Sequence, residues 1–405
     1  MKIPKHPLGN VSVQKFLQEY WQQKPLLIRN AFPNYRCPIS ADEMAGLACE
    51  PDFESRIILE RDGDDPWQCQ HGPFDESVFS QLPDTHWTLL LQSCNLFIPA
   101  FSQLLEKFRF IPNWRVDDIM LSYAPVGGSV GPHTDNYDVF LLQAQGKRRW
   151  DISTRDYTDT DFVPDIDLKI LKSFVPTQTW DLGPGDMLYL PPGVAHHGVA
   201  LNDAVTISVG FRAPNYSELG NALLEDFLAQ QSFSLPQSFY QDSALPLQEN
   251  PGEISGWSLQ RINDSIIEKI DSHLRANDWF GKFITDTEYD PEQLQTELSQ
   301  QDYRQNLSDG QQLVRDENCK FAFIQDNKTV QFFRNGQVSY YPMSLLDLIS
   351  LICNDRYPAS DTLLTLLDGN DSMLFLGDLI NQGYLYFDPN FSLGIDSHTE
   401  KSHGK

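Results

Sequence analysis

The apolar positions of this chain change their period several times, and each change marks a different kind of structure. Val13 to Trp21 has helical spacing, Pro25-Leu26-Leu27-Ile28 reads as a short strand, and Ser40-Ala41-Asp42-Glu43 is a capping-box start for a second helix. Residues 1–110 therefore predict a mixed region. From 115 to 212 the pattern becomes short apolar runs between Gly/Pro turns. Asp118–Tyr123, Asp138–Gln143, Met187–Leu190 and Val205–Phe211 are predicted strands, with turns at Pro125–Gly128, Gly183–Gly185 and Pro191–Gly193. That spacing argues an all-β sandwich or barrel rather than βαβ units. After Pro214 the period is helical again. Leu219, Leu223, Leu224, Phe227 and Leu228 form one stripe, and Leu259, Ile262, Ile266, Ile270 and Leu274 a second, with a polar, Pro-punctuated stretch at about 232–256 between them. Such helices can cover a sheet or pair with another copy of themselves. Residues 286–390 then read helix, strand pair, helix, helix, strand, the order of small winged-helix modules. Lys320–Ile324 and Thr329–Phe333 flank the turn Asp326-Asn327-Lys328, Leu345–Ile352 and Leu374–Ile380 are helical, and Tyr384–Phe387 is a strand. The tail after Phe391 is expected to be disordered.

Composition narrows the function. A chain of 405 residues implies two or three domains. It carries 30 Lys+Arg against 56 Asp+Glu, a formal net charge of −26. So acidic a surface repels nucleic-acid phosphates and attracts a basic protein, although acidity can also serve solubility alone. The region 286–405 holds 19 acidic and 8 basic residues, a balance of −11. A DNA-reading winged helix is basic, so direct nucleic-acid binding is disfavoured and a structural or protein-contact module is expected. The six cysteines have no C-x-x-C pair and read as free thiols in a reducing compartment. The start, MKIPKHPLGNVSVQKF, lacks a signal peptide's apolar run, and no stretch approaches the ~20 apolar residues of a membrane span. The expectation is a cytoplasmic protein with no membrane partner.

The central chemical signal is Gly131-Pro132-His133-Thr134-Asp135, followed 61 residues after the Asp by His196 in Pro191-Pro192-Gly193-Val194-Ala195-His196. Two histidines and one carboxylate can occupy one face of an octahedral metal and leave three positions open, the facial arrangement of non-haem Fe(II) oxygenases. On a strand, positions i and i+2 point to the same side, so His133 and Asp135 can reach one ion. An H-x-D tripeptide alone is weak. Its context strengthens it, because Gly183-Pro184-Gly185, a buried strand and the rigid Pro-Pro-Gly turn present His196. The plainer reading makes both histidines satisfied core residues. His197 is adjacent and points the other way on extended backbone, so His196 is taken as the ligand. Asp118, Met120 and Ser122 alternate on one predicted strand face. An aspartate there can pair with a guanidinium and a methionine can pack on its methylenes. Tyr137 can stack on a planar cation, and Ser208 on a late strand can hydrogen-bond. An acidic and aromatic pocket suits arginine, although Met120 and Tyr137 can equally be plain core.

The stretch from His133 through Tyr137-Asp138-Val139-Phe140-Leu141-Leu142-Gln143 and Gly146-Lys147-Arg148-Arg149-Trp150 resembles the JmjC-type ribosomal oxygenases. The Pro-Pro-Gly-x-x-His196 and Ser208-Val209-Gly210-Phe211-Arg212-Ala213-Pro214 segments share the likeness, which runs over nearly the whole chain and includes Trp21-Gln22-Gln23-Lys24-Pro25. The resemblance implies an α+β chain built on a double-stranded β-helix of cupin/jelly-roll, JmjC type. It implies a catalytic domain at 1–214, a helical dimerisation domain at 215–285 and a winged-helix-like domain at 286–392, leaving 393–405 as the tail. It places the metal ligands on His133, Asp135 and His196, with Fe(II) as the metal and 2-oxoglutarate and O2 as co-substrates. Arg148 matches the position that binds the far carboxylate of 2-oxoglutarate, and its planar fork suits that group. Lys147 and Arg149 remain open as neighbours, and all three can instead form a solvated turn. Ala124 stands where the family often has a hydroxyl, so Ser122 or Tyr123 is expected to supply it. The implied activity is hydroxylation of an arginine on a basic large-subunit ribosomal protein, by a homodimer. A histidyl hydroxylase, a lysyl demethylase and a non-catalytic acidic chaperone of basic ribosomal proteins are the alternatives.

Overall fold

The computed structural model describes residues 6–60, 67–158, 161–164, 169–233, 240, 243, 245–247, 249–276 and 278–388. The expected disordered tail, 393–405, lies outside them, as does much of the polar stretch at 232–256. The chain divides into two compact units, Met1–Ala213 and Pro214–Lys405.

The first unit holds eleven strands: β1 (Leu26–Ile28), β2 (Ser55–Glu60), β3 (Trp67–His71), β4 (Trp87–Leu91), β5 (Val116–Ala124), β6 (Asp138–Gln145), β7 (Arg148–Ser153), β8 (Gln178–Leu182), β9 (Met187–Leu190), β10 (Ala195–Ala200) and β11 (Ala204–Phe211). They form an eight-stranded sheet ordered β1-β9-β6-β11-β5-β4-β2-β3 and a three-stranded sheet ordered β10-β7-β8, and every pairing is antiparallel. The alternation of β6 distributes its side chains to two cores. Phe140 and Leu142 join Phe16, Phe101, Phe108, Tyr189 and Phe211 in a large aromatic core on one face of the big sheet. Val139 and Leu141 join Trp150, Ile152, Leu182, Leu188 and Leu190 in a smaller one shared with the small sheet. Burying each such phenylalanine is worth on the order of 2 kcal/mol. The predicted helix starts hold: Val13–Glu19 is capped by Ser12, and Ala41–Leu47 begins at a reciprocal Ser40/Glu43 capping box.

The mixed reading of 1–110 gave only the strand at β1, whereas this region supplies four strands of the large sheet. The sequence Ser55–Glu60 has Ile57, Ile58 and Leu59 buried in succession. Both faces of β2 are covered, so its period-two signal is absent.

The second unit contains the two predicted helices, at Tyr216–Phe233 and Gly256–Ala276, and a further helix, Asp278–Thr285. Its strands are β12 (Gln312–Arg315), β13 (Phe321–Gln325), β14 (Thr329–Arg334), β15 (Gln337–Pro342) and β16 (Leu385–Asp388). The expected hairpin is a three-stranded sheet, because β15 adds to β14, while β12 pairs with β16. Leu348, Ile352, Phe332, Phe375, Leu376 and Leu379 are among the residues of its own core. Among the described residues no helix is long and apolar enough to cross a membrane.

Candidate active site

The metal-ligand candidates are brought together by backbone before side chains enter. His133 and His196 form an isolated antiparallel bridge, with His133 N–H donating to His196 O at 3.0 Å and His196 N–H donating to His133 O at 2.9 Å. Gly193 N–H donates to Asp135 O at 2.8 Å. Gly193 makes that turn at φ +78°, a conformation other residues resist. His133 thus sits on a single bridge in an extended loop ahead of β6, and not within the full strand that its spacing to Asp135 suggested.

The rings follow from this frame, their centroids lying 4.2 Å apart. His133 Nδ1 lies 2.9 Å from Gly131 O, and His196 Nδ1 lies 3.0 Å from Val194 O. A carbonyl only accepts, so each Nδ1 carries the proton and each Nε2 offers a lone pair. His196 Nε2 is 3.5 Å from Asp135 Oδ2, and His133 Nε2 is 3.9 Å from Asp135 Oδ1. Three ligand atoms within 4.8 Å of one another make a ready-built claw. His196 is 2% exposed, and its burial pushes its imidazole down to about pKa 4. It is therefore neutral, the form that ligates. Two imidazoles and one carboxylate on one side of a shared point fit a divalent transition ion with open positions. His197 turns away from this cluster, as strand alternation requires, and its ring faces Phe174 at 6.1 Å.

The remaining candidates divide by strand register. On β7, Arg148, Trp150 and Ile152 share a face with Ala200, Gly198 and His196 of β10, their direct partners. Arg149 points outward and pairs with Asp181 at 3.0 Å. Arg148 is 2% exposed, and its Nε and Nη2 are buried without a hydrogen bond. Desolvation pulls its guanidinium down to about pKa 10. An unpaired buried cation of this kind calls for an anion. The Trp150 ring links the two ends, with its centroid 5.8 Å from the His196 ring centroid and 5.8 Å from Arg148 Cζ. Gly198 makes that possible: a Cβ there would lie 2.6 Å from the Trp150 ring.

On the opposite wall, Ser122 pairs with Thr206, and Thr206 with Gln143. All three are buried, and the Thr206 hydroxyl donates to Gln143 Oε1 at 3.1 Å. Sequence reasoning missed Thr206 and Gln143; the alternation of Thr206 and Ser208 with Val205, Ile207 and Val209 was the available signal for the first, and Gln143, after four apolar residues, carried none. Ala124 packs with Ala200 and Ala204. Met120 lies opposite Ser208. Asp118 accepts from Ser93 N–H at 2.9 Å, and its carboxyl is pushed up to about 6, chiefly by desolvation. The Tyr137 hydroxyl is raised well above its ordinary value by burial and by Asp135, Asp118 and Asp117, which places it among these carboxylates. One residue beyond Tyr137, buried Asp138 accepts from Tyr189 Oη at 2.6 Å, Gln22 Nε2 at 3.0 Å and Arg115 Nη2 at 3.2 Å. This knot pins the start of β6 behind the pocket.

A closed pair of antiparallel sheets with a two-histidine, one-carboxylate claw between them defines a JmjC-class protein, and residues 103–219 match the JmjC domain model. Residues 268–386 match the ROXA-like winged helix model. The chain belongs to the ribosomal oxygenase family. It is 33% identical over 377 residues, 92% of this chain and 97% of the relative, to Ribosomal protein uL16 3-hydroxylase of Escherichia coli K12. The X-ray structure of E. coli ycfD superposes with a TM-score of 0.81 at 30% identity, covering 96% of this chain and 100% of that one. The ribosomal oxygenase YcfD from E. coli in complex with cobalt and 2-oxoglutarate superposes at 0.77, again at 30% identity, covering 94% and 99%.

Proposed function

We propose that this chain hydroxylates an arginine side chain of a basic large-subunit ribosomal protein, with uL16, named in the E. coli relative, as the first candidate. The reaction consumes O2 and 2-oxoglutarate and yields succinate and carbon dioxide. The observation that carries the reading is the pairing of two features between the same sheets: the His133/Asp135/His196 claw and the buried, unpartnered guanidinium of Arg148.

In this reading His133, Asp135 and His196 hold iron(II), which when bound supplies the redox chemistry that activates dioxygen against a keto acid. Gly131 and Val194 carbonyls keep both Nε2 atoms aimed at it. Arg148 clamps the far carboxylate of 2-oxoglutarate, and the Ser122 and Thr206 hydroxyls line its path. Trp150 excludes water between the two ends. Asp118 pairs with the substrate guanidinium, Met120 and Tyr137 pack on its flat stem, and Ser208 adds a hydrogen bond. The desolvation that raises Asp118 strengthens its pull on a cation entering the same low-dielectric mouth. The acidic chain draws a basic protein toward it.

The helix Gly256–Ala276 turns Leu259, Ile262 and Ile266 outward, at 50%, 38% and 52% exposure, and Leu224 and Leu228 are exposed on Tyr216–Phe233. A partly exposed apolar stripe at helical spacing supports a two-fold homodimer through 215–285, beside a catalytic domain at 1–214 and a winged-helix-like module at 286–392. A cytoplasmic location agrees with such a substrate. The test is intact-mass analysis of uL16 after incubation with the protein, Fe(II) and 2-oxoglutarate. One added oxygen is expected. Succinate formed with a different protein, and none with uL16, would refute the substrate.

A further inference from the structure

The large sheet continues beyond the pocket. Past β5 lie β4 and β2, and register carries the pocket face onto them. Arg56 pairs with Leu90, Leu90 with Ser122, and Ser122 with Thr206, so these four side chains rise from one face of the sheet. Gln92 follows Leu90 by two residues and keeps the same face, its N–H extending the ladder to Glu54 O at 3.0 Å. Arg56 and Glu54 both act on the Asp118 carboxyl, so this extension borders the place where the substrate side chain enters.

Three polar atoms on the extension have no hydrogen-bond partner among the described residues: Thr88 Oγ1, on a fully buried residue, and one atom each on the more accessible Arg56 and Gln92. Arg56 Nε and Gln92 Oε1 are buried and make no hydrogen bond. Buried polar atoms are paired in native proteins with few exceptions, and an unpaired one costs roughly 1–3 kcal/mol. Arg148 shows the same deficit, and 2-oxoglutarate answers it. Arg56 lies two strand spacings from β5, about 10 Å, on a different sheet from Arg148. The two side chains are only part-buried, so a ligand arriving from outside can reach them. What they lack is complementary: Arg56 offers an N–H donor and Gln92 an acceptor oxygen on adjacent strands. An extended polypeptide presents a carbonyl and an N–H within one or two residues of each other.

We propose that Arg56 and Gln92 form a flanking subsite that holds the main chain of the substrate protein next to the side chain entering at Asp118. The Arg56 N–H donates to a substrate carbonyl and Gln92 Oε1 accepts from a substrate N–H. This deepens the protein-hydroxylase reading and rests on it. It makes β2 and the end of β4 part of substrate recognition, and it gives the enzyme a way to grip a segment whatever its side chains.

The test is fluorescence anisotropy of labelled uL16 titrated with the full chain, anaerobically, with Fe(II) and 2-oxoglutarate present. Three variants are compared with the parent protein. Arg56→Met and Gln92→Leu each keep similar volume and remove the whole polar group, guanidinium or amide; Gln92→Glu keeps the acceptor oxygen. The subsite predicts about tenfold weaker binding for the first two, binding within threefold of the parent for Gln92→Glu, and melting temperatures no lower than the parent's. In turnover, KM for uL16 rises by the same factor while kcat falls less than threefold. Parent-like binding by both Arg56→Met and Gln92→Leu overturns the subsite but leaves the substrate assignment standing. A loss in Gln92→Glu equal to that in Gln92→Leu also overturns it, because shape and not the acceptor would then decide. Failure of the parent protein to bind uL16 overturns the substrate assignment, and the subsite with it.

Discussion

Replacing Arg148 with methionine should move stability and co-substrate affinity in opposite directions. The guanidinium is 2% exposed, and two of its nitrogens are buried without partners. Desolvation alone pulls its pKa from the ordinary arginine value down to about 10. At about 1.4 kcal/mol per unit, the fold spends roughly 3 kcal/mol keeping this cation uncompensated. The sign follows directly. A base whose folded pKa is depressed weakens the folded state at every pH below about 10, and the penalty is relieved only as pH rises from there toward the ordinary arginine value. Methionine fills similar space and needs no partner, so the ligand-free protein should gain up to that amount. For the first unit, of 213 residues, this corresponds to a melting temperature higher by up to roughly 6–12 °C. The same change would remove the two-pronged, charge-assisted contact proposed between Arg148 and the carboxylate of 2-oxoglutarate. Its loss should cost about 3 kcal/mol, or a KM raised on the order of a hundredfold. Saturating 2-oxoglutarate at about a hundred times its Kd should stabilise the parent by roughly 2.7 kcal/mol and leave the variant almost unmoved. Thermal melts with and without 2-oxoglutarate, alongside succinate assays, measure both terms. A variant that melts lower than the parent without ligand, or keeps the parent's KM, would refute the assignment of Arg148 as a cation held in wait for an anion.

Three further outcomes are expected. His196→Ala and Asp135→Ala should each purify without stoichiometric iron by elemental analysis and form no succinate, whereas His197→Ala should retain both metal and turnover. The affinity for uL16 should fall by about tenfold per pH unit below pH 6 as Asp118 protonates, and binding by Asp118→Asn should be weak and flat over that range; because the Asp118 carboxyl is raised, its contribution to fold stability grows in the opposite sense, as pH falls from about 6 toward 3.8. Ile262→Asp combined with Ile266→Asp should convert the proposed dimer to a monomer in sedimentation velocity, and an unchanged species would remove the exposed stripe as the interface.

How much of this was legible beforehand depends on whether register mattered. His133, Asp135 and His196 could be chosen from order and spacing, because the Pro-Pro-Gly turn and the alternation after it leave only one of two adjacent histidines facing inward. The Lys147-Arg148-Arg149 triplet was ambiguous for the converse reason. Only the pairing of β7 with β10 shows Arg148 inside and Arg149 outside against Asp181. Asp118, Met120 and Ser122 do line one face of β5, as their alternation predicted. Thr206 alternates with apolar neighbours, a signal that marks a half-buried strand and no particular role, and Gln143 closes an unbroken apolar run, Val139–Leu142, that gives no face. Arg56 and Gln92 escaped because their strands, buried on both faces, gave no alternation at all. The winged-helix order was readable from helix and strand signals, but its third strand, β15, was not. Gln337–Pro342 is largely surface-exposed and carries little apolar contrast.

The metal claw should exist before the metal arrives. Its donors come from segments 61 residues apart, and closing such a span is entropically costly. In zinc-finger-like domains the ion meets that cost. Here it is met elsewhere: β6 and β9 pair along Val139–Leu142, β7 and β10 pair over six residues, and the reciprocal His133/His196 bonds continue the same antiparallel closure. The Nδ1 contacts to Gly131 and Val194 then fix the rings with no help from an ion. Iron should therefore bind a formed site and leave the barrel's order unchanged. The amides of His133 and His196 report this directly by hydrogen exchange. In chelator-treated protein they should exchange as slowly as neighbouring β10 amides, to within about tenfold, and metal should add protection only through mass action. Fast exchange at these two amides in metal-free protein, beside protected neighbours in β10, would show that the ion and not the sheet draws the claw together, and would refute the preformed site.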